Sequence, residues 1–135
     1  MYLLDTNVLI AVLNDKPRIV ADTVAANAMA GNHIATSVIV IFELLFGVAK
    51  SRQKSGNALR LDEVLAGPIE VLMFDAQDAE IAGQLRASLE TAGTPIGPYD
   101  VLIAGQALRH GATLVTANTR ELARIPGLKI EDWAK

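Results

Sequence analysis

The chain has 135 residues, carries a formal net charge of −3 and contains no cysteine. This length suits one domain with its own hydrophobic core, and we expect a single domain over residues 1–135. The lack of cysteine excludes disulfides, thiolate zinc sites and thiol nucleophiles, and the acidic balance argues against a dedicated nucleic-acid scaffold but not against an enzyme that acts on nucleic acid.

Short apolar runs alternate with helical patterns along the chain, and glycine, proline and polar residues separate them. Ser37 and Asp75 are each expected to cap the helix that follows, Asp75 together with Asp78. In chain order we predict a strand at 2–5, helices at 6–14 and 17–30, a strand at 33–36, a helix between Ser37 and a polar break at 50–57, a helix at 58–66, a strand at 69–74, a helix from Asp75 to about Gly93, a loop at 94–98, a helix at 99–111, a strand at 113–116, a short helix at 118–125 and a strand at 128–133.

The alternation of strands and helices defines the expected fold class. The strands are too apolar to have a solvent-facing side, which is typical of parallel strands covered by helices on both faces. We therefore predict an α/β fold with three layers, in which helices flank a mostly parallel five-stranded sheet. Open parallel sheets bind ligands beyond the carboxyl ends of their strands, so the residues that follow each strand are the first functional candidates.

A membrane location is not expected. No apolar run reaches the ~18 residues of a membrane span. The N-terminal run contains Asp5 and follows no basic segment, so it is not predicted to be a secretory signal, and the expected location is the cytoplasm. The hydrophobic fraction of 51% instead indicates covered sheet faces or a surface buried against another subunit.

Three carboxylates are expected at the carboxyl edge of the sheet. Asp5 ends the first strand, Glu43 lies in the helix after the second strand, and Asp100 begins the helix after the 94–98 loop. Two of them have structural alternatives, because Asp5 could cap its helix and Asp100 could be a first-turn acid that favours the helix dipole. We expect all three to face one pocket.

Glu43 is the most informative of the three because it lies in the apolar run SVIVIFELLFGV at 37–48. An ionised carboxylate removed from water without a partner is strongly destabilising. Either Glu43 faces water at a helix edge or a cation binds it. Gly47, one turn later, leaves space beside the carboxylate instead of covering it. We expect Glu43 to be buried with a metal ion as its partner.

The donor atoms of this pocket indicate which metal it would bind. Packed carboxylates repel one another, and a divalent cation removes that repulsion. Oxygen ligands without cysteine or a placed histidine suit Mg²⁺, with Mn²⁺ as the alternative, and not Zn²⁺. A metal of this kind lowers the pKa of an attacking water in phosphodiester hydrolysis. Side chains expected to orient ligands or water around the acids are Thr6, Asn7, Ser37 and Thr116.

Four ordered blocks resemble the PIN-domain ribonucleases: LLDTNVLI, SVIVIFELLFG, IGPYDVLIAGQA and LVTANTREL. Within that family the chain is most similar to the VapC toxins of bacterial toxin–antitoxin pairs, along the whole sequence. The resemblance implies a single PIN-like domain and a magnesium-dependent endoribonuclease. In it, Asp5, Glu43 and Asp100 match the three acidic metal ligands and catalytic residues, and metal-activated water hydrolyses the RNA.

The same resemblance implies partners and a substrate. It implies a homodimer and a VapB-type antitoxin whose C-terminal tail blocks the cleft, with a hetero-oligomer of both on operator DNA. The segments PIGPYD and NTREL…PGLKIEDW are similar to the subgroup that cuts tRNA. The first-choice substrate is therefore initiator tRNA, cut in its anticodon region.

One position departs from the family pattern. Many PIN domains carry a fourth acid after the fourth strand, where this chain has Asn118. Asparagine can bind a metal or its water through oxygen but adds no charge, which leaves a second metal open. We prefer a capping box for the Asn118 side chain, with Glu121 three residues later as its cap partner.

Four further residues have two interpretations each. The basic run Lys50, Arg52 and Lys54 is either a solvated turn or a contact to the RNA backbone. Tyr99 either stacks on an RNA base or covers the start of its helix, and we prefer the second.

Two other functions fit parts of the sequence. A receiver-type signalling domain has the same size and an acidic magnesium pocket, but Asp75 is its only mid-chain phospho-acceptor candidate and Glu43 has no role in it. A non-catalytic PIN-fold module would act only through antitoxin or operator binding. The intact set of three acids argues against that second alternative.

Overall fold

The computed structural model describes residues 1–135 and contains five strands and seven helices. The strands are β1 (Tyr2–Leu4), β2 (Ile34–Ser37), β3 (Ile69–Leu72), β4 (Thr113–Val115) and β5 (Lys129–Glu131). The helices are α1 (Thr6–Asn14), α2 (Arg18–Met29), α3 (Val38–Lys50), α4 (Lys54–Leu65), α5 (Ala76–Thr91), α6 (Pro98–His110) and α7 (Thr119–Leu122).

All five strands form one parallel sheet in the order β3-β2-β1-β4-β5. Strand β1 is central, and Tyr2 is in register with Ile34 of β2 and Thr113 of β4. The predicted α/β fold with a parallel sheet is confirmed. Because the strands are parallel, the segments that follow them all leave from the same edge of the sheet.

Consecutive residues of the central strands are buried, so both faces of the sheet are covered. Helix α5 packs closely along α6, and the contact depends on Gly105. A Cβ added to Gly105 would lie 2.8 Å from Ala82 Cα, because the two helix backbones meet there. Among the fully buried side chains of the core are Leu3, Leu4, Leu9, Ile34, Ile103, Leu114 and Leu122.

The predicted caps of two helices are confirmed. Ser37 Oγ accepts a 3.1 Å hydrogen bond from Ile39 N at the start of α3. At the start of α5, Asp75 Oδ1 accepts from Asp78 N at 3.0 Å, and Asp78 Oδ2 accepts from Asp75 N at 2.9 Å. These local side-chain bonds set where both helices begin.

The predicted break at 50–57 is wrong in its second half. Helix α4 begins at Lys54, so that Gly56 and Asn57 are helical. Ser55, Gly56 and Asn57 are weak helix formers, so propensity did not indicate this start, and the burial of Leu61 against the core fixes the helix in place.

Much apolar surface remains exposed on this single chain. Three large side chains on α3 are about half exposed: Phe42 at 54%, Leu45 at 52% and Phe46 at 59%. No helix is both long and apolar enough to cross a membrane.

Candidate active site

Asp5 is fixed at the carboxyl end of β1 by its backbone and by one of its carboxylate oxygens. Its N–H donates to Val115 O at 3.1 Å, which ties it to the end of β4. Its Oδ1 accepts from Val8 N at 3.0 Å, so the alternative in which Asp5 caps its helix is realised. One oxygen of the buried carboxylate therefore serves the helix.

The electrostatics of Asp5 show what else it faces. Burial raises the pKa of the Asp5 carboxyl, and the nearby charges of Asp100 and Glu43 raise it further. Hydrogen bonds from Thr116 and Val8 lower the pKa of Asp5. Asp5 therefore combines capping with a place in a common acidic pocket, where the ionised form is held at a free-energy cost.

Glu43 is held by a hydrogen bond from α1. Thr6 Oγ1 donates to Glu43 Oε1 at 2.7 Å, across 37 residues of sequence. The expectation that Glu43 is buried is wrong, because its side chain is only partly covered. Helix α3 turns Val40 and Leu44 towards the core, so that Glu43 lies at the border between the core and the exposed apolar face.

Asp100 lies in the first turn of α6, which agrees with its interpretation as a first-turn acid. Burial raises the pKa of the Asp100 carboxyl, and the charges of Glu43 and Glu121 raise it further, whereas hydrogen bonding to Asn118 lowers it. Asp100 therefore faces the same pocket as Asp5 and Glu43. Gly97 lies beside it, and a Cβ at that position would be 3.1 Å from Asp100 Oδ2.

The predicted capping box of Asn118 and Glu121 does not form. Asn118 is the N-cap residue of α7, but its side chain makes no capping bond. Instead, Asn118 Nδ2 donates to Glu121 Oε2 at 2.9 Å, and Asn118 N donates to Thr116 Oγ1 at 2.9 Å. The Asn118 side chain therefore bonds to the Glu121 side chain and not to a backbone N–H of α7, and it also lowers the pKa of the Asp100 carboxyl.

Glu121 was predicted only as the cap partner of Asn118, but its charge also belongs to the candidate site. Its charge acts on Asp100, so it contributes a fourth carboxylate where the strand end itself offers only an amide. The available signal was its position one helical turn after Asn118, which places both side chains over the same strand end.

The remaining polar candidates divide into two groups. Thr6 and Thr116 touch the acids or Asn118 directly. Ser37 is buried and serves as the cap of α3. Asn7 is exposed on α1 and makes none of the hydrogen bonds that hold the acids.

The candidate RNA-contact residues are exposed. Lys50, Arg52 and Lys54 lie at the α3–α4 turn, with Lys50 Nζ 5.3 Å from the centroid of the Phe46 ring. The Tyr99 ring packs against Phe42, with centroids 5.7 Å apart. Tyr99 therefore covers the junction between α6 and α3 and keeps 43% of its surface exposed.

The pocket has an excess of negative charge without a protein cation. None of the ion pairs in the structure involves Asp5, Glu43, Asp100 or Glu121. No three acidic or histidine side chains are arranged to hold one ion jointly. This geometry fits Mg²⁺, which commonly uses one or two carboxylates and completes its coordination with water and substrate oxygens.

Comparison with known proteins identifies the class. The family model described as the PIN domain matches residues 2–128. The chain belongs to the PIN-domain family. Within that family it groups with the VapC ribonucleases, as its resemblance to them had indicated.

Two curated relatives cover almost the full chain. The tRNA(fMet)-specific endonuclease VapC of Salmonella typhimurium is 41% identical over 132 residues, which are 98% of this chain and 97% of the relative. Ribonuclease VapC2 of Rickettsia felis is 40% identical over 135 residues, which are 100% of this chain and 99% of the relative.

A solved structure supports the same family assignment. VapBC2 from Rickettsia felis bound to a DNA fragment from its promoter has a chain that superimposes with a TM-score of 0.91 at 40% identity, covering 98% of both chains. The receiver alternative receives no support, because Asp75 caps α5 and accepts a 2.8 Å hydrogen bond from Arg109.

Proposed function

We propose that this protein is the toxin of a VapBC-type toxin–antitoxin pair and acts as an endoribonuclease. Its relatives of 40 and 41% identity are named as ribonucleases. The observation that carries the proposal is the convergence of Asp5, Glu43 and Asp100, which belong to three different elements and act on one another's charge. Each carboxylate has local contacts in the fold, but their mutual repulsion is destabilising, so a bound cation accounts for their convergence.

The reaction is hydrolysis of an RNA phosphodiester bond in the presence of Mg²⁺ or Mn²⁺. When bound, the metal neutralises charge on the phosphate and lowers the pKa of the attacking water. Asp5, Glu43 and Asp100 would surround it, one or two of them as direct ligands and the others through bound water, and Glu121 and Asn118 would offer a second, weaker contact. Whether one or two ions act depends on how strongly this last pair contributes.

The protein's own residues orient the carboxylates. Thr6 holds one oxygen of Glu43 and leaves the other for the pocket. The bond from Val8 N fixes the rotation of the Asp5 carboxylate in the same way. Thr116 acts on Asp5 and also receives Asn118 N, so that it links the two sides of the pocket. Preorganisation of this kind limits the loss of freedom when the ligands close on an ion.

The proposed substrate is tRNA, with initiator tRNA cut in its anticodon region as the first choice. The name of the Salmonella typhimurium relative, a tRNA(fMet)-specific endonuclease, supports this choice. The proposed protein partner is a VapB-type antitoxin, because the similar solved structure is a VapBC complex on promoter DNA. We further propose that the toxin is a homodimer, and the exposed apolar face of α3 is consistent with burial against protein.

The test is cleavage of total tRNA, mapped by primer extension, with MgCl₂ or EDTA. The parent protein, Glu43→Gln and the control Glu63→Gln are compared, since Glu63 is an exposed acid on α4. We expect discrete cuts that require magnesium, persist in the control and disappear in Glu43→Gln. Equal cleavage by all three proteins would indicate a contaminating nuclease and contradict the role of Glu43. Absence of cleavage by a folded parent protein would favour the non-catalytic module.

A further inference from the structure

A groove runs from the acidic pocket along the surface between α1, α3 and α4. Its cavity has a volume of about 310 Å³. Glu43 lies in its wall, so the groove is continuous with the proposed catalytic edge. It is lined by residues of α1 (Ile10, Leu13 and Asn14), of α3 (Glu43, Leu44, Gly47 and Val48) and of α4 (Asn57, Arg60 and Leu61).

The segment beside this groove is positively charged, whereas the chain as a whole is negatively charged. Residues 44–61 contain four cationic side chains and no acidic one, whereas the whole chain has a net charge of −3. The four are Lys50, Arg52, Lys54 and Arg60, and none of them takes part in an ion pair. Arg60 donates only to a neutral acceptor, Asn57 Oδ1, at 2.6 Å. Arg60 lines the groove, and Lys50, Arg52 and Lys54 lie on the turn that joins its two walls α3 and α4. Unpaired cations of this kind favour a polyanionic ligand.

Gly47 keeps the groove open between its two ends. A Cβ built at this position meets no heavy atom within 4 Å. Gly47 lies one helical turn after Glu43, so the opening begins directly beside the carboxylate. A helical glycine is less stable than alanine at an exposed site, and here it leaves the floor of the groove free.

We propose that this groove is the path of the RNA chain on one side of the cleavage site. The inference rests on the proposed endoribonuclease function and extends it to Arg60, Asn57 and Gly47. Phosphates next to the cleaved bond run from Glu43 towards Arg60 and then to the Lys50–Lys54 turn. The apolar walls accept sugar and base faces without reading the sequence.

The first test measures how salt affects binding of fluorescently labelled total tRNA in EDTA, where no cleavage occurs. The variant Lys50→Gln/Arg52→Gln/Lys54→Gln is compared with the parent and with Arg86→Gln/Lys129→Gln/Lys135→Gln. The control triple removes the same charge from exposed sites elsewhere. We expect the slope of log K against log salt to fall by about 2 in the groove variant, from three lost phosphate contacts. Equal slopes in the two triples would overturn the proposal.

The second test obstructs the groove without removing charge. Gly47→Leu fills the floor, and Gly83→Leu is the matched control on α5, where an added Cβ also meets nothing within 4 Å. We expect the KM for tRNA to rise about tenfold or more in Gly47→Leu, with unchanged thermal stability and no change in the control. Arg60→Gln should raise the KM in the same direction. Parent-like KM values in both Gly47→Leu and Arg60→Gln would contradict the proposal that RNA runs along this groove.

The outcomes separate this inference from the proposed function. If the parent protein cleaves tRNA and the groove variants match it in slope and KM, the path is wrong and the endoribonuclease stands. If those variants instead change the molecular mass in solution, the face is a protein interface and the path is again wrong. If the parent neither binds nor cleaves RNA, both proposals fail together.

Discussion

Thr6 Oγ1 donates a 2.7 Å hydrogen bond to Glu43 Oε1, and this bond joins the first turn of α1 to the middle of α3. Asp5, the cap of α1, precedes Thr6 directly. The bond therefore fixes two carboxylates of the pocket relative to each other. An ionised acceptor makes such a bond stronger than one between neutral groups.

Replacing Thr6 by valine should lower the cleavage rate about 10- to 100-fold, because valine keeps the shape but cannot donate to Glu43. Thr6→Ser should keep most of the activity. Thr23→Val, on the exposed face of α2, is the control for a surface threonine. The measurement is tRNA cleavage against magnesium concentration, and a parent-like curve for Thr6→Val would rule out the positioning role.

The raised pKa values predict how acid and metal affect stability. A carboxyl whose folded-state pKa lies above 3.8 binds protons more readily in the folded protein. Below pH 3.8 the neutral form of this carboxyl therefore stabilises the fold. This stabilisation is lost as the pH rises through the folded-state pKa. At pH 7 without metal, Asp100→Asn should unfold at a higher temperature than the parent, and the difference should vanish near pH 3.8.

The expected gain is small because Asp100 is only partly buried and solvent screens its charge. We expect about 0.5 kcal/mol, or a Tm rise of about 2 °C in EDTA. MgCl₂ should reverse the order, since it stabilises the parent but not Asp100→Asn. Asp62→Asn, at an exposed site on α4, should have the Tm of the parent both in EDTA and in MgCl₂. A parent Tm that ignores magnesium would count against a metal at these carboxylates.

Gly97 is expected to leave room for the Asp100 carboxylate. Its backbone has φ −56° and ψ 147°, a conformation that alanine also adopts. The cost of Gly97→Ala would therefore come from the 3.1 Å approach of Cβ to Asp100 Oδ2. We expect about tenfold lower activity and a higher magnesium requirement. Gly83→Ala on α5 should be neutral or slightly stabilising, and equal activity of both variants would show that Asp100 adjusts freely.

Arg109 stabilises the joint between α5 and α6. It donates to Asp78 Oδ1 at 3.2 Å and to Asp75 Oδ2 at 2.8 Å, and the Asp78 side chain is fully buried. Arg109→Leu would leave that carboxylate buried with only His110 Nε2, 4.0 Å away, as a cationic partner, so we expect a loss of about 3 kcal/mol in urea denaturation. Arg86→Leu breaks an exposed pair with Glu90 and should cost about 0.5 kcal/mol or less. A similar loss in both variants would contradict this role of Arg109.

The order of elements was predictable because local signals are strong in this chain. Apolar strands, the caps at Ser37 and Asp75, and glycines after helices each act within a few residues. The start of α4 was not predictable, because its first turn is polar and the packing of Leu61 decides the boundary. The place of Asp5 at the carboxyl edge followed from the rule that ligand sites lie beyond the carboxyl ends of parallel strands. Asp100 follows a loop and not a strand, so this rule did not determine its place.

The wrong site predictions share a cause. Asn118 and Glu121 have the spacing of a capping box, but in the folded protein their side chains bond to each other, and Asn118 also acts on Asp100. The run around Glu43 is apolar on all sides, so periodicity could not tell which face is exposed. Local patterns identify the residues of a site, and tertiary neighbours decide their hydrogen bonds.

The central position of β1 has a consequence for the newly made chain. Asp5 is among the first residues that the ribosome adds. Its backbone N–H, however, is held by Val115 O, so β4 must join β1 before this bond exists. A ribosome-bound chain that stops before residue 115 therefore has its first acid but no pocket. The acidic pocket is completed only near the end of synthesis, when the C-terminal strands β4 and β5 have joined the sheet.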